Sequence, residues 1–486
     1  MADNTTFFDS NMGNLFVQPG GPMEAIYPMG CHDLGDISQS EGDITERRCP
    51  DPSGPGRWMV VLSSVGQPER GTSSVTTYLG KVKDWLERQG NEPFTLYVQH
   101  AHTGRKDQFL NYERGEVMRG CRITSRTRSG LVAREGSDAA EQSFEFSFDA
   151  TTPYYPLALA NQAVAATTPF LCICFSADGQ VGVAGAAAGT GAKADVAYTR
   201  DGGLNWKLAA VQPFANDEDI AAVALLPLAP RQYRILALLG STNAGAMMVA
   251  YSDNWGASWT TVSVGGGNGN FGRGPKALVA VDYANIYVVG DDGDLFKSAN
   301  GGASYTEISL TSVQPLLGAH FKDVNTGIVV GEVNTILRTM NGGTSWTTIP
   351  GPADQAAANV TAGLVFDQYR IMVGYDDGEV WYTDDAGDSW VQVAFSFPTG
   401  FSSGTIADMH AVDDHCIAIA LTWETDGSDI FSTLYRTICG GTYWDSWTTD
   451  EFTDQGVGGV WLTGYDAIHA VGGIIDTNGS IFLLSD

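Results

Sequence analysis

The eight residues Thr199-Arg200-Asp201-Gly202-Gly203-Leu204-Asn205-Trp206 decide the fold of most of this chain. They place a Ser or Thr, an Asp or Asn, a Gly and an aromatic residue at fixed offsets. The same pattern begins again at Ser252, Ser298, Thr339 and Thr383, and in a weaker form at Thr437. The six aromatic positions are 53, 46, 41, 44 and 54 residues apart. This period is typical of the blades of a β-propeller.

Each copy is predicted to close a turn between two strands. The Asp or Asn side chain accepts hydrogen bonds from backbone amides two residues on. The Gly supplies a positive φ angle, and the aromatic ring anchors the turn in the blade. We assign these structural roles, and no catalytic role, to Asp201, Gly203, Trp206, Asn254, Gly256, Trp259, Asn300, Gly302, Tyr305, Asn341, Gly343, Trp346, Asp385, Gly387, Trp390, Gly441 and Trp444.

The number of blades follows from the end of the chain. Ser485 occupies the first position of a seventh copy, and 286 residues separate it from Thr199. Six intervals of about 48 residues place the start of the first blade near residue 151. Residues 154–160 would then supply the outer strand that the last unit lacks, which closes the ring and removes its open edges. Residues 151–486 are therefore predicted to form a seven-bladed propeller.

Residues 1–150 have a different pattern, which predicts a separate β-sandwich or barrel with one flanking helix. Val75, Leu79, Val82, Trp85 and Leu86 trace one apolar face of a helix that begins near Ser73. Strands are predicted at residues 58–62, 94–99, 119–127 and 144–149. The last of these alternates phenylalanine with polar residues, as in a strand with one buried face. The whole chain is thus predicted to be mainly β.

Composition limits the function. The formal net charge is −29, and residues 1–150 hold 15 basic and 21 acidic residues against 12 and 35 in the remainder. An acidic propeller repels nucleic acid and anionic membranes. No apolar run is long enough to span a membrane, and the first residues are unlike a signal peptide, so we expect a soluble protein without membrane insertion. Seven cysteines without a CxxC pair predict free, buried thiols in a reducing compartment.

Basic residues cluster between Arg105 and Arg134. Arg122, Arg126 and Arg128 share parity, so an uninterrupted strand would project them from one side. Three interpretations stay open: contact with an acidic surface of a neighbouring copy, phosphate binding, or a solvated strand face with local ion pairs.

The amino-terminal domain resembles the tail tube proteins of long-tailed phages. The resemblance rests on Tyr27-Pro28-Met29-Gly30-Cys31-His32-Asp33-Leu34-Gly35-Asp36-Ile37, the acidic turn Glu41-Gly42-Asp43-Ile44, the helix from Ser73 and the stretch Gly130-Leu131-Val132-Ala133-Arg134-Glu135-Gly136 before the alternating phenylalanines. It covers about 150 residues and implies a β-sandwich that assembles into rings, usually of six copies, stacked as a hollow tube.

That resemblance implies a structural role in the virion. The partners would be further copies of the chain, other tail proteins and DNA that passes through the lumen without specific binding. The propeller would be an outward-facing decoration, with host-surface glycans as candidate ligands. The protein would be made in the host cytoplasm and located in the phage tail, and it would require no cofactor.

The repeated turn also resembles those of sialidases, sortilin-type receptors and the photosystem II assembly factor, so a soluble glycan-binding or sialidase-like propeller is the alternative. Sialidases grip their substrate with three arginines and carry an Arg-Ile-Pro motif, which is missing here. Arg200, Arg338 and Arg436 lie inside the repeated turns, which are expected at the blade periphery. We therefore predict that the chain is not an enzyme.

The remaining candidate groups have structural interpretations. His100 and His102 form an HxH pair without an evident third ligand, and Asp291, Asp292 and Asp294 are expected in a hairpin turn, so no metal site is predicted. Asp413, Asp414 and His415 are likewise expected to form a turn. The tryptophans outside the repeated turns could stack on sugars or pack in the core: Trp255, Trp381, Trp423, Trp447 and Trp461.

Overall fold

The structure is a computed structural model of the 486-residue chain. It describes residues 14–19, 27–28, 32–34, 38–39, 48–50, 58–60, 71–77, 93–101, 114–129, 141–148, 150–154, 158–162, 168–215, 218–229, 232–239, 247–265, 274–290, 293–310, 314–394, 397, 403–425, 429–449, 456–464, 467–475 and 478–485. The described residues are mainly β, as the sequence predicts, with a 3₁₀ turn at Ala353–Gln355. The chain divides into two compact units, Met1–Pro156 and Leu157–Asp486.

The second unit contains seven four-stranded antiparallel sheets, the number that the sequence period predicts. The strands of each blade are given in chain order, innermost first. Blade 1 consists of Phe170–Phe175, Gly182–Ala186, Val196–Thr199 and Lys207–Leu208, and blade 2 of Ile220–Ala229, Gln232–Leu239, Met247–Ser252 and Thr260–Gly265. Blade 3 consists of Pro275–Asp282, Asn285–Gly290, Asp294–Ser298 and Thr306–Glu307. Blade 4 consists of Leu316–Phe321, Gly327–Gly331, Thr335–Thr339 and Thr347–Thr348, and blade 5 of Val360–Val365, Ile371–Tyr375, Val380–Thr383 and Val391–Gln392. Blade 6 consists of Ser403–Ala411, Ile417–Glu424, Ile430–Thr437 and Asp445–Thr448. Blade 7 is Val457–Leu462, Ile468–Ile475 and Asn478–Ser485, with Ala158–Gln162 outermost.

The seven sheets form a closed ring. The first strand of each blade contacts the first strand of the next blade, and Val457–Leu462 of blade 7 contacts Phe170–Phe175 of blade 1. The second strands are the most completely buried, and Gly327–Gly331 and Ile371–Tyr375 are buried along their whole length. Burial of these aliphatic strands between neighbouring sheets is the main stabilising contribution to the ring.

The outermost strand of blade 7 differs in position from the predicted one. Ala158–Gln162 pairs with Asn478–Ser485, with Leu159 opposite Leu484. Residue 154 instead ends the strand Ala150–Tyr154, which pairs with Arg114–Ser129 in the first unit. Two strands therefore stand where one was predicted, and Pro156, which has no amide hydrogen for a ladder, falls between them in the sequence.

All seven first strands carry a register shift at the same place. Six of them pair their first and third residues with consecutive positions of the second strand, as Phe170 and Cys172 do in blade 1. In blade 6, whose first strand begins three residues earlier, the corresponding residues are Ile406 and Asp408. The residue between them is the extra residue of a β-bulge. The seven bulged residues are Leu171, Ala221, Lys276, Leu317, Thr361, Ala407 and Gly458.

The first unit is built on a nine-stranded sheet. The strand order is Tyr27–Pro28, Asn14–Pro19, Phe94–Ala101, Arg114–Ser129, Glu141–Phe148, Gly71–Thr77 and His32–Leu34, with Ala150–Tyr154 added to Arg114–Ser129 and Ser38–Gln39 added to Gly71–Thr77. Arg48–Pro50 and Trp58–Val60 form a separate pair. The alternation predicted near residue 144 is confirmed, because Phe144, Phe146 and Phe148 are buried while Glu145 is exposed. The sandwich or barrel itself stays a prediction.

The predicted helix is wrong at its start. Residues 71–77 form the strand Gly71–Thr77, in which Val75 lies opposite Phe144. This segment is rich in threonine and serine, and its β-branched residues favour a strand paired with Glu141–Phe148 over a helix. The remainder of the predicted helix, from residue 78 on, lies outside the described residues, as do residues 41–44 and 130–136 of the tail-tube resemblance.

Candidate functional site

The repeated turns lie between the third and fourth strands of blades 1 to 6. In blade 3 the Ser298 hydroxyl accepts the Gly302 amide at 2.9 Å and donates to Asn300 Oδ1 at 3.0 Å. Asn300 Oδ1 also accepts the amide of Ser304 at 2.9 Å. In all six turns the glycine amide donates to the Ser or Thr hydroxyl oxygen, at 2.9–3.1 Å. The Asp or Asn side chain thus accepts a hydrogen bond from the backbone amide four residues later in the chain, and not from the amide two residues later, as predicted.

Two successive residues of each turn have positive φ. They are Gly301 and Gly302 in blade 3, with φ of 69° and 86°. Blades 2 and 5 place Trp255 and Ala386 at the first of these positions, with φ of 60° and 66°. A side chain with Cβ is strained there, most of all a bulky one. Trp255 is held in place by the Arg200 guanidinium, 3.9 Å from its ring centroid, and by the ring of Tyr198.

The aromatic residues of the turns connect neighbouring blades. Each is partly buried, as the predicted anchoring role requires. The indole N–H of Trp259 donates to the Val211 carbonyl at 2.7 Å, and that of Trp390 donates to the Pro350 carbonyl at 2.8 Å. Both carbonyls follow the last strand of the preceding blade. These aromatic side chains therefore anchor the turn within its own blade, as predicted, and also bind the preceding blade.

The weak sixth copy uses a thiol where the others use a carboxylate or an amide. Cys439 Sγ lies 3.4 Å from the Thr437 hydroxyl and accepts the Tyr443 amide at 3.3 Å. Burial raises the pKa of Cys439 to about 11, so the group remains a neutral thiol. Of the cysteines with described side chains, Cys121, Cys174, Cys416 and Cys439 are buried, as predicted, and Cys172 is partly buried.

Basic side chains are placed at blade junctions. Arg234 of blade 2 donates to the Gly301 carbonyl of blade 3 at 2.7 Å, and Lys297 of blade 3 donates to the Gly342 carbonyl of blade 4 at 2.9 Å. Lys322 and Arg338 of blade 4 donate to the carbonyls of Phe366 and Gln368 in blade 5.

The remaining described arginines of the propeller have comparable partners. Arg370 of blade 5 pairs with Asp414 of blade 6, Arg436 pairs with Asp445 at 2.9 Å, and Arg200 lies over Trp255 as described above. Arg231 and Arg273 lie outside the described residues. A three-arginine grip on a substrate carboxylate is thus absent from the described residues.

A channel of about 1040 Å³ runs through the ring and is lined by the first strands of all seven blades. The bulged residues all line it, and none of the seven is fully buried. The bulge turns one residue per blade out of the sheet and toward the axis. Apart from Lys276 and Thr361, these seven residues are small or aliphatic. At the level of the bulges the channel wall therefore offers few side chains that can form hydrogen bonds or take part in a reaction.

Titratable groups in the channel wall bond to the backbone edge of the next blade. Asp408 accepts the Val460 amide at 2.9 Å, His320 Nδ1 accepts the Val365 amide at 3.1 Å, and His410 Nδ1 accepts the Leu462 amide at 3.1 Å. These side chains cap the free edges of the first strands, which otherwise expose unpaired donors. No local sequence motif marks these three residues, so the sequence alone does not predict them.

Burial controls the charge of these groups. It raises the pKa of Asp408 to about 6, against the opposing hydrogen bonds from Val460 and Met409. It lowers the pKa of His320 to about 4 and that of His410 to about 3. Both imidazoles are therefore neutral at pH 7, which their role as acceptors of backbone amides requires. His410 also stacks on Trp461 at 3.9 Å.

Asp413, Asp414 and His415 lie together in the predicted turn of blade 6, close enough to share an ion. Asp413 Oδ1 accepts the amides of His415 and Cys416, both at 2.9 Å. Burial opposes ionisation of Asp414, but the hydrogen bond from His415 and the charge of Arg370 outweigh it and hold its pKa well below the usual range. Turn closure and an ion pair with Arg370 account for these contacts.

Each tryptophan considered for sugar stacking has a partner within the protein. Trp423 stacks on Phe431 at 5.0 Å, the Arg436 guanidinium lies 5.5 Å from the centroid of Trp447, and Trp381 donates to Glu379 at 2.9 Å. Trp255 and Trp461 are covered by Arg200 and His410, as described above. Core and junction packing therefore accounts for all five.

The candidate residues of the first unit are only partly described. A bulge between Glu145 and Phe146 in the pairing with Arg114–Ser129 breaks the alternation on which a shared face was predicted. Arg122 lies opposite Ser147, whereas Arg126 and Arg128 lie opposite Phe144 and Gln142, and residues paired across a ladder share a face. Arg122 is therefore on the other face of the sheet from the positions of Arg126 and Arg128.

Other predicted candidates have few described contacts. His100 is in the strand Phe94–Ala101 and Asp294 begins Asp294–Ser298, while His102, Asp291 and Asp292 lie outside the described residues. Within the described part of the chain no helix is long and apolar enough to cross a membrane.

The sequence matches one family. The family model described as the DUF6242 beta propeller domain matches residues 204–485. No curated protein matches the chain.

Similar solved structures include YCF48 from Cyanidioschyzon merolae, at 14% identity and a TM-score of 0.48, with 68% of this chain and 98% of that chain covered. A structure of YCF48 bound to D1 peptide has 14% identity and a TM-score of 0.46, with coverage of 68% and 95%. The GH74 xyloglucanase from Xanthomonas campestris has 14% identity and a TM-score of 0.47, with coverage of 65% and 52%.

Proposed function

The chain belongs to the DUF6242 β-propeller family, and from that premise we propose that its propeller is a non-catalytic display domain on a self-assembling phage tail-tube protein. The absence of catalysis is proposed because the titratable groups of the channel are already engaged in hydrogen bonds between blades. Asp408, His320 and His410 each bond to the backbone of the next blade. A general acid, base or nucleophile must instead be directed at a substrate.

The described cations support the same conclusion. Arg234, Lys297, Lys322, Arg338 and Arg370 bond across blade junctions, and a sialidase would need several arginines converging on one carboxylate. The proposal therefore includes no enzymatic activity, no cofactor and no catalytic metal.

The tail-tube assignment rests on the resemblance of the first 150 residues to that family. A β-rich unit in which Arg114–Ser129 is paired with three other strands accords with a ring-forming β domain. Residues 1–150, which would form the tube, hold 15 basic and 21 acidic residues, and this negative balance would let DNA pass without adhering, because like charges repel and no counterions are released. The partners would be further copies in stacked rings of six, other tail proteins and, for the propeller, host-surface glycans. The location would be the virion, after synthesis in the host cytoplasm.

Negative-stain electron microscopy of the purified full-length chain tests the assembly. Rings or tubes of constant bore are expected, and monodisperse monomers at every protein and salt concentration would contradict the proposal. Arg122→Glu reverses the charge of an exposed side chain on the central strand and is expected to weaken assembly if this face contacts a neighbouring copy. Lys207→Glu, an equal charge change at an exposed position of blade 1, is the matched control.

Two further assays separate the alternatives. Turnover of a fluorogenic sialoside would favour the sialidase-like propeller, and we expect none. A monomer without turnover would point to a factor that docks on a larger complex. A glycan array with the full-length chain tests the display role, and absence of retention on every glycan would remove host-surface sugars as ligands.

A further inference from the structure

The two turns on one face of the propeller carry most of the exposed large apolar side chains. The turn between the first and second strands lies beside the repeated turn of the same blade, since the Gly301 amide donates to the Tyr283 carbonyl and the Gly342 amide to the Asn325 carbonyl. The two turns of a blade therefore lie on a common face, which we call the Asp-box face. The apolar tips in the repeated turns are Leu204, Met340 and Tyr443, which are 64%, 43% and 44% exposed.

Four consecutive blades add an apolar tip at the equivalent first turn. In blades 3 to 6 these are Tyr283, Val324, Tyr369 and Val412, which are 52%, 40%, 53% and 47% exposed. Single exposed apolar residues are ordinary on protein surfaces. Recurrence at one topological position on one face is different, because it arranges the side chains in an arc around one end of the ring. Tyrosine is also among the residues that contribute most to binding at interfaces.

An aspartate accompanies each of the four tips. Asp282, Asp323, Asp367 and Asp413 each accept a backbone amide within their own turn, at 2.7–2.9 Å. Hydrogen bonds of this kind, opposed by desolvation, lower the pKa of Asp323 and Asp367. Lys322 is held by the next blade, whereas Arg370 pairs with Asp367 of its own turn at 2.7 Å as well as with Asp414 of the next blade, so the charge of Asp367 is compensated and Asp282, Asp323 and Asp413 carry the negative charge of the four turns. The arc therefore presents apolar tips with fixed negative charges between them.

We propose that the Asp-box face is a docking surface for a cationic protein segment in which Arg or Lys side chains alternate with aliphatic ones. Charge complementarity selects this occupant, since buried apolar contact gives the affinity and opposite charge gives the orientation and the encounter rate. A second propeller is excluded by repulsion, because residues 151–486 carry 12 basic and 35 acidic residues. The surface goes beyond the display function and does not depend on tail assembly.

Fluorescence anisotropy of a labelled dodecapeptide of alternating Arg and Leu, titrated with the full-length protein at about 0.15 M salt, tests the proposal. The double substitution Tyr283→Ser and Tyr369→Ser is expected to weaken binding at least about tenfold. The matched control, Val333→Ser and Phe397→Ser, changes apolar residues of 53% and 42% exposure at or beside turns between second and third strands, on the opposite face, and is expected to stay within about twofold. All four positions are exposed, so both variants should keep the native circular dichroism spectrum.

A second peptide separates docking from bulk charge attraction. A peptide of alternating Arg and Ser has the same charge without the apolar side chains, and its affinity is expected to be at least about tenfold lower. Equal affinity of the two peptides would overturn the proposal, as would equal losses in the two double variants. Absence of binding by the Arg-Leu peptide up to about millimolar protein would overturn it as well.

Discussion

The indole N–H of Trp259 donates to the carbonyl oxygen of Val211 at 2.7 Å, across the junction between blades 1 and 2. The equivalent tryptophan of blade 1, Trp206, has the same packing role, but its indole nitrogen is buried without an acceptor. The two positions therefore form a natural pair in which one hydrogen bond differs.

Trp259→Phe is expected to reduce the free energy of unfolding by about 1–2 kcal/mol more than Trp206→Phe. The first substitution removes a hydrogen bond and leaves a carbonyl without its donor, whereas the second removes a donor that has no acceptor. Urea unfolding monitored by circular dichroism measures both values. Equal losses in the two variants would show that the blade junction gains nothing from the hydrogen bond.

Ala386→Gly is expected to stabilise the propeller by about 0.5–1 kcal/mol. Ala386 has φ of 66° at a position where four other turns have glycine, and glycine adopts this region without strain. Glycine also raises the conformational entropy of the unfolded chain, which favours unfolding, but this effect is smaller than the relief of strain in the folded turn. Gly342→Ala is the reverse control, because φ there is 63° and the new Cβ would lie 2.7 Å from the Val324 carbonyl. A lower melting temperature for Ala386→Gly would contradict the strain at this turn.

Ser298→Ala is expected to destabilise blade 3 by about 2 kcal/mol. The hydroxyl both accepts the Gly302 amide and donates to Asn300, and Ser298 is fully buried. Ser304→Ala removes an exposed hydroxyl that only accepts from the Asn300 side chain, and about 0.5 kcal/mol or less is expected. Differential scanning calorimetry can rank the two, and the reverse order would disprove the central role of the hydroxyl.

Acidification is expected to destabilise the wild-type propeller more than His410→Asn. Burial lowers the folded-state pKa of His410 to about 3, so between that value and the unfolded value near 6.5 the unfolded chain binds the extra proton. Stability is thus lost as the pH falls below about 6.5. The Asn carbonyl can still accept the Leu462 amide but does not titrate. Denaturant unfolding at about pH 7 and 5 should show a difference of about 1–2 kcal/mol between the proteins, and parallel pH profiles would refute it.

Asp408→Asn is expected to act in the opposite direction. Burial raises the folded-state pKa of Asp408 to about 6, so the folded protein binds more protons than the unfolded chain between about pH 4 and 6. Wild-type stability from this group is lost as the pH rises through that window. The same unfolding series should show the Asn variant gaining about 1–2 kcal/mol relative to wild type from pH 4 to 7. A constant offset would contradict the prediction, because it would mean that the pKa of Asp408 is the same in the folded and unfolded states.

The repeated turn allowed the blades to be predicted because its residues act locally. Asp201 and Gly203 close a turn through bonds within the same eight residues, so their pattern is visible in the sequence. The channel groups act between segments that are far apart. His410 meets Leu462 and Asp408 meets Val460 only after blades 6 and 7 have packed together, and no spacing in the sequence encodes that contact.

The errors in the first unit have a different origin. The apolar spacing from Val75 to Leu86 is helical, yet Gly71–Thr77 is a strand because pairing with Glu141–Phe148 overrides a local pattern. The shared face of Arg122, Arg126 and Arg128 failed because one bulge reverses the alternation of side chains, and bulges have no reliable sequence signal.

The strand Ala158–Gln162 has a mechanical consequence. Among the described residues it pairs with Asn478–Ser485 and with no other strand, and residue 157 marks the start of the propeller unit. Tension applied to the chain ahead of the propeller arrives first at this five-residue ladder. Under load, blade 7 would therefore lose its outermost strand first, while the seven first strands around the axis remain in contact and the ring stays closed.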